Sequence, residues 1–277
     1  MKKVMLAMAF TLSYILSYGQ ISAGTEPTVQ LVRNATLIVE YGGKKILVDP
    51  MFSEKGAIDS WAGIQKNPTV ELTMPLGDIV KDVDLVMVTH THEDHFDQPA
   101  SKTIDKSTEI IIQPSDKDFF KKEGFFNASV LENQKDWNGI TIHRVEGQHG
   151  SGEVLKMMGK TSGFVLQAKN QPTIYIVGDT IWTEDIKKDI KKFKPDYIIV
   201  NSGGAQIKGF GNTPIIMNET QTMDLIRASG KGKVIAVHMN ALDHCFTTRE
   251  VLKKKAAGLK IGPDKLIIPE DGDVIKL

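Results

Sequence analysis

A stretch of nine residues, THTHEDHFD at positions 89–97, crowds three histidines and an aspartate together: His90, His92, Asp94 and His95. Side chains two positions apart leave a strand in the same direction, so His90 and His92 can reach one cation. Asp94 and His95 face another direction and can hold a second. Imidazole nitrogens and carboxylate oxygens suit Zn, Mn or Fe. Without a cation, so many titratable groups at one strand end would be desolvated and unpaired, so the stretch predicts metal binding.

Further candidate ligands stand immediately after apolar runs that predict β-strands. His149 follows the run near 140–145, Asp179 closes TIYIVG, and His238 closes KVIAV. Ligands gather at the carboxyl ends of strands because the loops there are free to converge. A lone histidine in such a place is more often a packed or surface residue, so the cluster at 90–95 carries the interpretation. Neighbouring divalent ions are commonly joined by a carboxylate, and we assign Asp179 to that bridge.

The elements that must position these residues alternate along the chain. A long loop is predicted at 51–77, and helices are predicted near 97–104, 115–122, 183–192, 218–229 and 248–258. The apolar runs predict strands at 28–32, 36–40, 44–50, 84–89, 109–113, 139–147, 163–168, 173–179, 196–201, 233–238 and 265–269. Buried strands joined by helical crossovers imply helices that cover the faces of sheets.

Composition limits the function classes. The chain has 277 residues, is 41% hydrophobic and carries a formal net charge of zero. These values predict a folded protein with one large domain and disfavour a nucleic-acid partner, because the basic surface that such binding requires is missing. Cys245 is the only cysteine, so the core or a metal must supply the stability that a disulfide cannot.

The N-terminus has the anatomy of a signal peptide. Lys2 and Lys3 precede an apolar run that ends near Leu16, followed by small and polar residues. The run is shorter than the roughly 20 residues that span a bilayer, which favours cleavage over retention as an anchor. We therefore expect a signal peptide at 1–19 and a mature domain at 20–277, located in the periplasm or outside the cell and free of the membrane.

These motifs together carry a family resemblance. HTHEDH (90–95) resembles the HxHxDH signature of the metallo-β-lactamase-fold hydrolases, and GQHG (147–150), GDT (178–180) and AVH (236–238) follow in the expected order. Residues 33–50 are similar to the opening hairpin of the branch that includes ascorbate-6-phosphate lactonase. The resemblance implies an α+β fold, a four-layer αββα sandwich with the site along one edge between the sheets.

The resemblance also implies a cofactor of two divalent metal ions, with Zn expected and Mn or Fe as alternatives. His90, His92 and His149 would hold one ion, and Asp94, His95 and His238 the other, with Asp179 bridging. Asp49 resembles the carboxylate that orients a ligand imidazole in this family, since metal-bound histidines donate their second N–H to a fixed acceptor. The alternative role for Asp49 is that of a turn residue before Pro50.

The expected chemistry is hydrolysis of a small molecule. Two cations that share a water lower its pKa toward neutrality, and the hydroxide they bridge can attack carbonyl carbon or phosphorus. Asp94 could receive or relay a proton, so Asp94 and Asp179 are the predicted catalytic carboxylates. We expect an ester, lactone or phosphoester as the substrate. A β-lactamase-type amide hydrolase and a non-catalytic metal-binding or redox protein stay open as alternatives.

Polar residues that follow strand ends are candidate substrate contacts, although turn and capping roles suit the same residue types. These candidates are Thr180, Trp182, Asn201, Ser202, Asn240 and His244. On the long loop, Phe52, Trp61 and Met74 are predicted to form an apolar wall of the site.

Overall fold

The N-terminal half of the chain forms most of the first of two seven-stranded sheets in the computed structural model, which describes residues 26–277. The predicted signal peptide lies outside the described residues. The strand order is β14-β1-β2-β3-β4-β5-β6, antiparallel from β14 to β3 and parallel from β3 to β6. The strands are β1 (Thr28–Arg33), β2 (Thr36–Tyr41), β3 (Lys44–Val48), β4 (Leu85–Val88), β5 (Ile110–Ile112), β6 (Ala128–Val130) and, from the end of the chain, β14 (Val274–Lys276).

The second sheet follows in the C-terminal half. Its order is β13-β12-β11-β10-β9-β8-β7, antiparallel from β7 to β10 and parallel from β10 to β13. The strands are β7 (Gln134–Trp137), β8 (Ile140–Glu146), β9 (Ser162–Ala168), β10 (Ile174–Ile176), β11 (Tyr197–Asn201), β12 (Lys233–Val237) and β13 (Leu266–Ile267). The parallel strands present their carboxyl ends at one edge, where side chains that follow them can converge.

Helices cover the outer face of each sheet. Those outside the first sheet are α1 (Leu76–Val80), α2 (Gln98–Thr103) and α3 (Lys117–Lys122), and those outside the second are α5 (Glu184–Phe193), α6 (Glu219–Ala228) and α7 (Arg249–Gly258). The short helix α4 (Gly152–Met158) instead packs Val154 against a separate cluster of mostly loop residues. Short polar side chains fix several helix starts: Thr183 accepts a hydrogen bond from Ile186 N, and Thr248 accepts one from Val251 N. Such caps satisfy backbone donors that have no partner inside the helix.

The apolar residues of β4 show how the layers are built. Leu85 and Met87 pack between the two sheets, whereas Val86 and Val88 pack against the helices outside the first sheet. Successive side chains of a strand point to opposite faces, so a continuous apolar strand contributes to two cores. A third core lies between the second sheet and helices α5 to α7. The result is the expected α+β fold with αββα layers.

The predicted strands and helices are confirmed with small shifts at their ends. The sequence interpretation missed β6, β7, β14, α1 and α4, which are short or carry few buried apolar side chains. The predicted loop 51–77 contains only an isolated bridge between Ile58 and Asn67 before α1 begins at Leu76. Within residues 26–277, no helix has the length and apolar character needed to cross a membrane.

Candidate metal centre

Each predicted ligand follows the carboxyl end of a strand, and the fold brings all seven together in two groups. His90, His92 and His149 form the first group. Asp94, His95, Asp179 and His238 form the second group. Within each group the potential ligand atoms all lie within 4.8 Å of one another. Six of the seven side chains are buried, and His92 is partly exposed.

Donor spacing in the two groups matches that around a small cation. In the first group, Nδ1 of His92 lies 2.9 Å from Nε2 of His90 and 3.2 Å from Nε2 of His149. In the second group, Nε2 of His238 lies 3.1 Å from Oδ2 of Asp94 and 3.3 Å from Nε2 of His95. Tetrahedral coordination with bonds of about 2.0–2.1 Å places donor atoms roughly 3.3 Å apart. Both groups therefore have the dimensions of a metal site.

Asp179 reaches both groups. Its Oδ2 lies 3.2 Å from Nε2 of His95 and 3.4 Å from Nε2 of His149. Gly178 lets the chain deliver this carboxylate: its φ is +73°, and a Cβ would lie only 2.5 Å from the carbonyl oxygen of Ser162. Only glycine fits such a position. Asn201 donates a hydrogen bond of 2.6 Å to Oδ1 of Asp179 and so fixes the orientation of the carboxylate.

The outer nitrogens of the histidines are held by fixed partners. Nδ1 of His149 lies 2.9 Å from the carbonyl oxygen of Ile215, which can only accept, so this nitrogen carries the proton and Nε2 presents its lone pair to the cluster. Nδ1 of His238 lies 3.6 Å from Sγ of Cys245. Metal-bound histidines characteristically have one nitrogen on the ion and the other held in this way.

Asp49 orients two further imidazoles. Its Oδ2 lies 2.8 Å from Nδ1 of His95 and accepts a hydrogen bond of 2.7 Å from the Thr89 hydroxyl. Because this hydroxyl donates its proton to Asp49, it can accept from Nδ1 of His90, 3.1 Å away. The Thr89 backbone N–H also donates to Asp49. Asp49 thus lies where the sequence placed an orienting carboxylate, and the donor set fits a divalent metal.

Protonation states in the first group suit metal ligation. Burial is the main cause that lowers the pKa of His149, to about 4, although Asp179 opposes it. Burial also holds the pKa of His90 well below its ordinary value, with the neighbouring imidazoles of His95 and His92 adding to the effect. Both rings are therefore neutral near pH 7, and a neutral imidazole is the form that binds metal.

In the second group, buried carboxylates favour positive charge on the neighbouring imidazoles. Burial raises the pKa of Asp179, but His95 and His238 outweigh it and hold that pKa well below its ordinary value. Burial likewise lowers the pKa of His95, but the carboxylates of Asp179, Asp94 and Asp49 outweigh it and hold that pKa well above its ordinary value. Buried charges require compensation, and a metal cation would supply here the positive charge that protons otherwise provide.

A cavity of about 270 Å³ opens onto both groups. His92 and His149 of the first group and Asp94 and Asp179 of the second form one side. The remaining lining residues are Trp61, Glu93, Met158, Ile207, Ile215 and His244. A larger groove of about 740 Å³ runs along α4 and is lined by none of the seven candidate ligands. The smaller cavity is therefore the place where a substrate could meet the candidate metal centre.

Hydrogen bonds to the Asp243 carboxylate, here called the Asp243 clamp, hold one wall of this cavity and were not predicted from the sequence. The Asp243 carboxylate accepts hydrogen bonds from the Ser60 hydroxyl, the Trp61 backbone N–H at 3.2 Å and Nδ2 of Asn67 at 2.9 Å. The Trp61 ring packs edge-on against the imidazole of His244, with ring centroids 4.8 Å apart. Nothing in the sequence distinguishes Asp243 from other polar loop residues, because its partners lie between 176 and 183 positions earlier.

Among the candidate substrate contacts, only His244 lines the cavity. Thr180 accepts a hydrogen bond from the backbone N–H of Gln148 and so ties two site loops together. Asn201 contacts Asp179 rather than the cavity. Asn240 accepts from the backbone N–H of Arg249.

The other candidates lie away from the cavity. Ser202 accepts a hydrogen bond from Thr222, on α6, and Trp182 packs against the core beneath helices α5 to α7. Of the predicted apolar wall, Trp61 lines the cavity, whereas Phe52 and Met74 pack in the core under α1 to α3. Most of the candidate substrate contacts are thus engaged in local packing or in hydrogen bonds within turns and do not face the cavity.

Fold and site together define a metallo-β-lactamase-fold protein. Residues 44–239 match the family model described as the beta-lactamase superfamily domain, and the chain belongs to that superfamily. The UPF0173 protein YddR of Bacillus subtilis is 35% identical over 250 residues, which cover 87% of this chain and 96% of that protein. A UPF0173 metal-dependent hydrolase of Pyrococcus abyssi is 24% identical over 252 residues, covering 90% of this chain and 99% of the relative.

Two solved structures share the whole architecture. A possible metal-dependent hydrolase from Veillonella parvula has a TM-score of 0.87 and 33% identity, covering 91% of this chain and 100% of that one. The isothiocyanate hydrolase from Delia radicum gut bacteria has a TM-score of 0.85 and 34% identity, covering 90% of this chain and 99% of that one. The similarity of residues 33–50 to the ascorbate-6-phosphate lactonase branch stays a prediction.

Proposed function

We propose that this protein is a dinuclear metal-dependent hydrolase that acts on the electrophilic carbon of a small, uncharged substrate, with organic isothiocyanates as the leading class. The observation that carries the proposal is the convergence of seven buried or half-buried histidine and aspartate side chains beneath a small cavity. Membership of the superfamily and the metal-dependent hydrolases among its relatives support it.

The chain's own residues would each have a defined task. His90, His92 and His149 would hold one ion, and Asp94, His95 and His238 the other, with Asp179 shared between them. When bound, divalent ions such as Zn, Mn or Fe lower the pKa of water so that hydroxide is available near neutral pH. Asp94 lines the cavity and is the carboxylate we assign to receive or relay a proton. Asp49 would keep the His95 ring in place.

The cavity favours neutral substrates. Trp61, Met158, Ile207 and Ile215 give it an apolar wall, and no Lys or Arg from residues 26–277 lines it. The carboxylate that β-lactam antibiotics carry beside the attacked carbonyl would be buried there without a cationic side chain to pair with. A phosphoester differs, because its charged oxygens would lie on the metal ions themselves. β-Lactams, which the sequence left open, therefore fit this cavity less well than uncharged substrates do.

Isothiocyanates combine the required properties. They are small and uncharged, and the central carbon of the N=C=S group is electrophilic. Addition of water places oxygen on that carbon and a proton on nitrogen, which gives a thiocarbamate. Cleavage of its carbon–nitrogen bond then releases a primary amine and carbonyl sulfide. The related enzyme whose name states this activity is 34% identical over most of both chains, which supports the assignment.

A lactone or ester hydrolase is the second candidate. The similarity of residues 33–50 to the ascorbate-6-phosphate lactonase branch favours it, and a neutral carbonyl compound suits the same cavity. Hydroxide would add to the carbonyl carbon, and the carbon–oxygen bond to the leaving alcohol would break. Both candidates share the metal centre and differ only in the substrate that the cavity selects.

A substrate panel with Zn-loaded and Mn-loaded protein tests the proposal. Allyl and benzyl isothiocyanates, lactones, aryl esters, a phosphodiester and a β-lactam are compared, and amine release reports isothiocyanate cleavage. We expect the highest kcat/KM for an isothiocyanate, and we expect His92→Ala to lose metal and turnover together. A preference for lactones would promote the second candidate. Full metal content with no turnover of any substrate would support a non-catalytic metal-binding or redox protein instead.

Export is a separate part of the proposal. The signal-peptide pattern at 1–19 supports a periplasmic or secreted enzyme that meets its small-molecule substrate outside the cytoplasm. Mass spectrometry of the protein recovered from the producing cells tests this, because a cleaved chain would begin near Gln20. A full-length chain would contradict cleavage.

A further inference from the structure

The His244 imidazole is buried, yet it has no hydrogen-bond partner among residues 26–277. The residue is 4% exposed, and its Nδ1 is buried with no hydrogen bond. Its other ring nitrogen, Nε2, makes no hydrogen bond to any residue of 26–277 either. The ring lines the same cavity as His92, Asp94, His149 and Asp179 of the candidate metal centre. Buried polar side chains are nearly always hydrogen-bonded, and those that are not call for an explanation.

The surroundings hold this ring in place. Trp61 packs edge-on against it at 87° between the ring planes. The backbone of Trp61 is tied to the carboxylate of Asp243, the residue immediately before His244. The backbone carbonyl of His244 accepts a hydrogen bond of 3.0 Å from Gln206 N, beside the cavity residue Ile207. Three segments of the cavity wall thus fix a polar ring whose nitrogens form no hydrogen bond within the described part of the chain.

The ring is a hydrogen-bond donor toward the cavity. Burial lowers the pKa of His244 to about 4, so the imidazole is neutral near pH 7 and carries a single N–H. A proton on Nδ1 would leave a buried donor unpaired, and unpaired buried N–H groups are rarer than unpaired acceptors. The proton therefore belongs on Nε2, the nitrogen that a ligand in the cavity can approach.

We propose that His244 is a substrate-contacting residue whose Nε2–H hydrogen-bonds the heteroatom attached to the attacked carbon, while Trp61 covers the apolar part of the substrate. The assignment of a reaction to this contact rests on the proposed function. As water adds to an isothiocyanate, the electron pair of the C=N bond moves to nitrogen. A donor fixed in an apolar cavity stabilises that developing charge without itself transferring a proton.

A purely structural role for His244 makes a different prediction. If the ring served only to pack against Trp61, phenylalanine would preserve that contact and glutamine would not. If the hydrogen bond matters, the order reverses, because the glutamine amide can place a donor near the position of Nε2. His143 gives a matched control: it lies on β8 beside Gln167 and Phe193 and does not line the cavity.

The experiment uses the full mature protein loaded with Zn. The variants His244→Phe, His244→Gln and His143→Phe are compared with the wild type for Zn content, for kcat/KM with benzyl isothiocyanate, and for the Kd of N-phenylurea, a stable neutral probe. We expect His244→Phe to keep its Zn but to lose at least about tenfold in kcat/KM and in affinity for the probe, the scale of one hydrogen bond. We expect His244→Gln to stay within about threefold and His143→Phe to match the wild type.

The outcomes separate this proposal from the proposed function. Loss of probe affinity in His244→Phe, without turnover by the wild type, would support the contact and overturn the isothiocyanate reaction. Turnover by the wild type with unchanged kcat/KM and Kd in His244→Phe would overturn the contact alone, as would equal loss in His244→Gln and His244→Phe. Neither turnover nor probe binding in the wild type would overturn both. Should His244→Phe not fold, His244→Asn replaces it, because its shorter amide leaves the donor near Nδ1 and the same loss is expected.

Discussion

Oδ2 of Asp179 lies 3.4 Å from Nε2 of His149, although the two residues belong to different groups of the candidate metal centre. The same oxygen is 3.2 Å from Nε2 of His95. One carboxylate oxygen is therefore within ligand spacing of both groups, and this relationship supports two ions that share Asp179 rather than two independent sites. Ions in such pairs act together on water and on the substrate.

The first prediction concerns this shared carboxylate. Asp179→Asn keeps the size of the side chain and removes its negative charge, so we expect the fold to survive, metal content to fall from two ions per chain toward one, and turnover to fall at least about a hundredfold. Elemental analysis, circular dichroism and steady-state kinetics check these outcomes. Asp185→Asn, an exposed change on α5, is the matched control. Two ions and a normal rate in Asp179→Asn would contradict the bridging role.

The second prediction concerns Asp49. This carboxylate contacts Nδ1 of His95 at 2.8 Å and does not belong to either ligand group. Residues that orient a ligand in this way typically change metal affinity by about 10–100-fold when replaced. We expect Asp49→Asn to weaken metal binding by that factor, measured by competition with a chelator of known affinity. Unchanged metal affinity would show that Asp49 serves only to hydrogen-bond Thr89 and does not support metal binding.

The ligand positions could be predicted because their signal is local. Side chains that follow apolar strands, such as Asp179 and His238, are brought to one edge by the topology alone, and the cluster at 90–95 lies within a single turn. Asn201 follows a strand in the same way, yet it hydrogen-bonds Asp179 instead of facing the cavity. Sequence position fixes which edge a side chain occupies but not its direction within a turn.

The features that could not be predicted from the sequence are those that depend on partners far away in the chain. Asp243 hydrogen-bonds Asn67 and the backbone of Trp61 across 176 and 182 positions, and neither end carries a distinctive motif. Strand β7 was missed for a different reason: three of its residues Gln134–Trp137 are polar and only Trp137 is buried, so only pairing with β8 makes them a strand. Tertiary contacts override weak local patterns in both cases.

The third prediction is that metal stabilises the fold. Binding to the native state alone raises the free energy of unfolding, by about 2.7 kcal/mol when free metal is a hundredfold above its Kd. Removing metal also leaves the carboxylates of Asp94 and Asp179 buried beside histidines without a divalent cation. We expect dialysis against a chelator to lower the melting temperature and Zn or Mn to restore it, with a much smaller response in His92→Ala. Equal melting temperatures with and without metal would contradict the site.

The fourth prediction tests the Asp243 clamp through its pH dependence. Hydrogen bonds from Ser60, Asn67 and the backbone of the loop outweigh burial and lower the pKa of Asp243 to about 2. A carboxylate whose pKa is lower in the folded than in the unfolded chain stabilises the fold above its ordinary pKa and loses this contribution as the pH falls. The shift from the ordinary value of 3.8 corresponds to about 2 kcal/mol. We therefore expect the free energy of unfolding of Asp243→Asn at pH 7 to be about 2 kcal/mol lower than that of the wild type.

That difference should stay constant down to about pH 4 and shrink between pH 4 and pH 2, as the wild-type carboxylate becomes protonated. Urea denaturation at several pH values measures it. Asp59→Asn serves as the control, because Asp59 lies on the same loop but is exposed and should change stability little at any pH. Since the clamp holds Trp61 over the cavity, Asp243→Asn should also raise KM while the metal content stays normal. A stability difference independent of pH would show that the ionised carboxylate does not hold the loop.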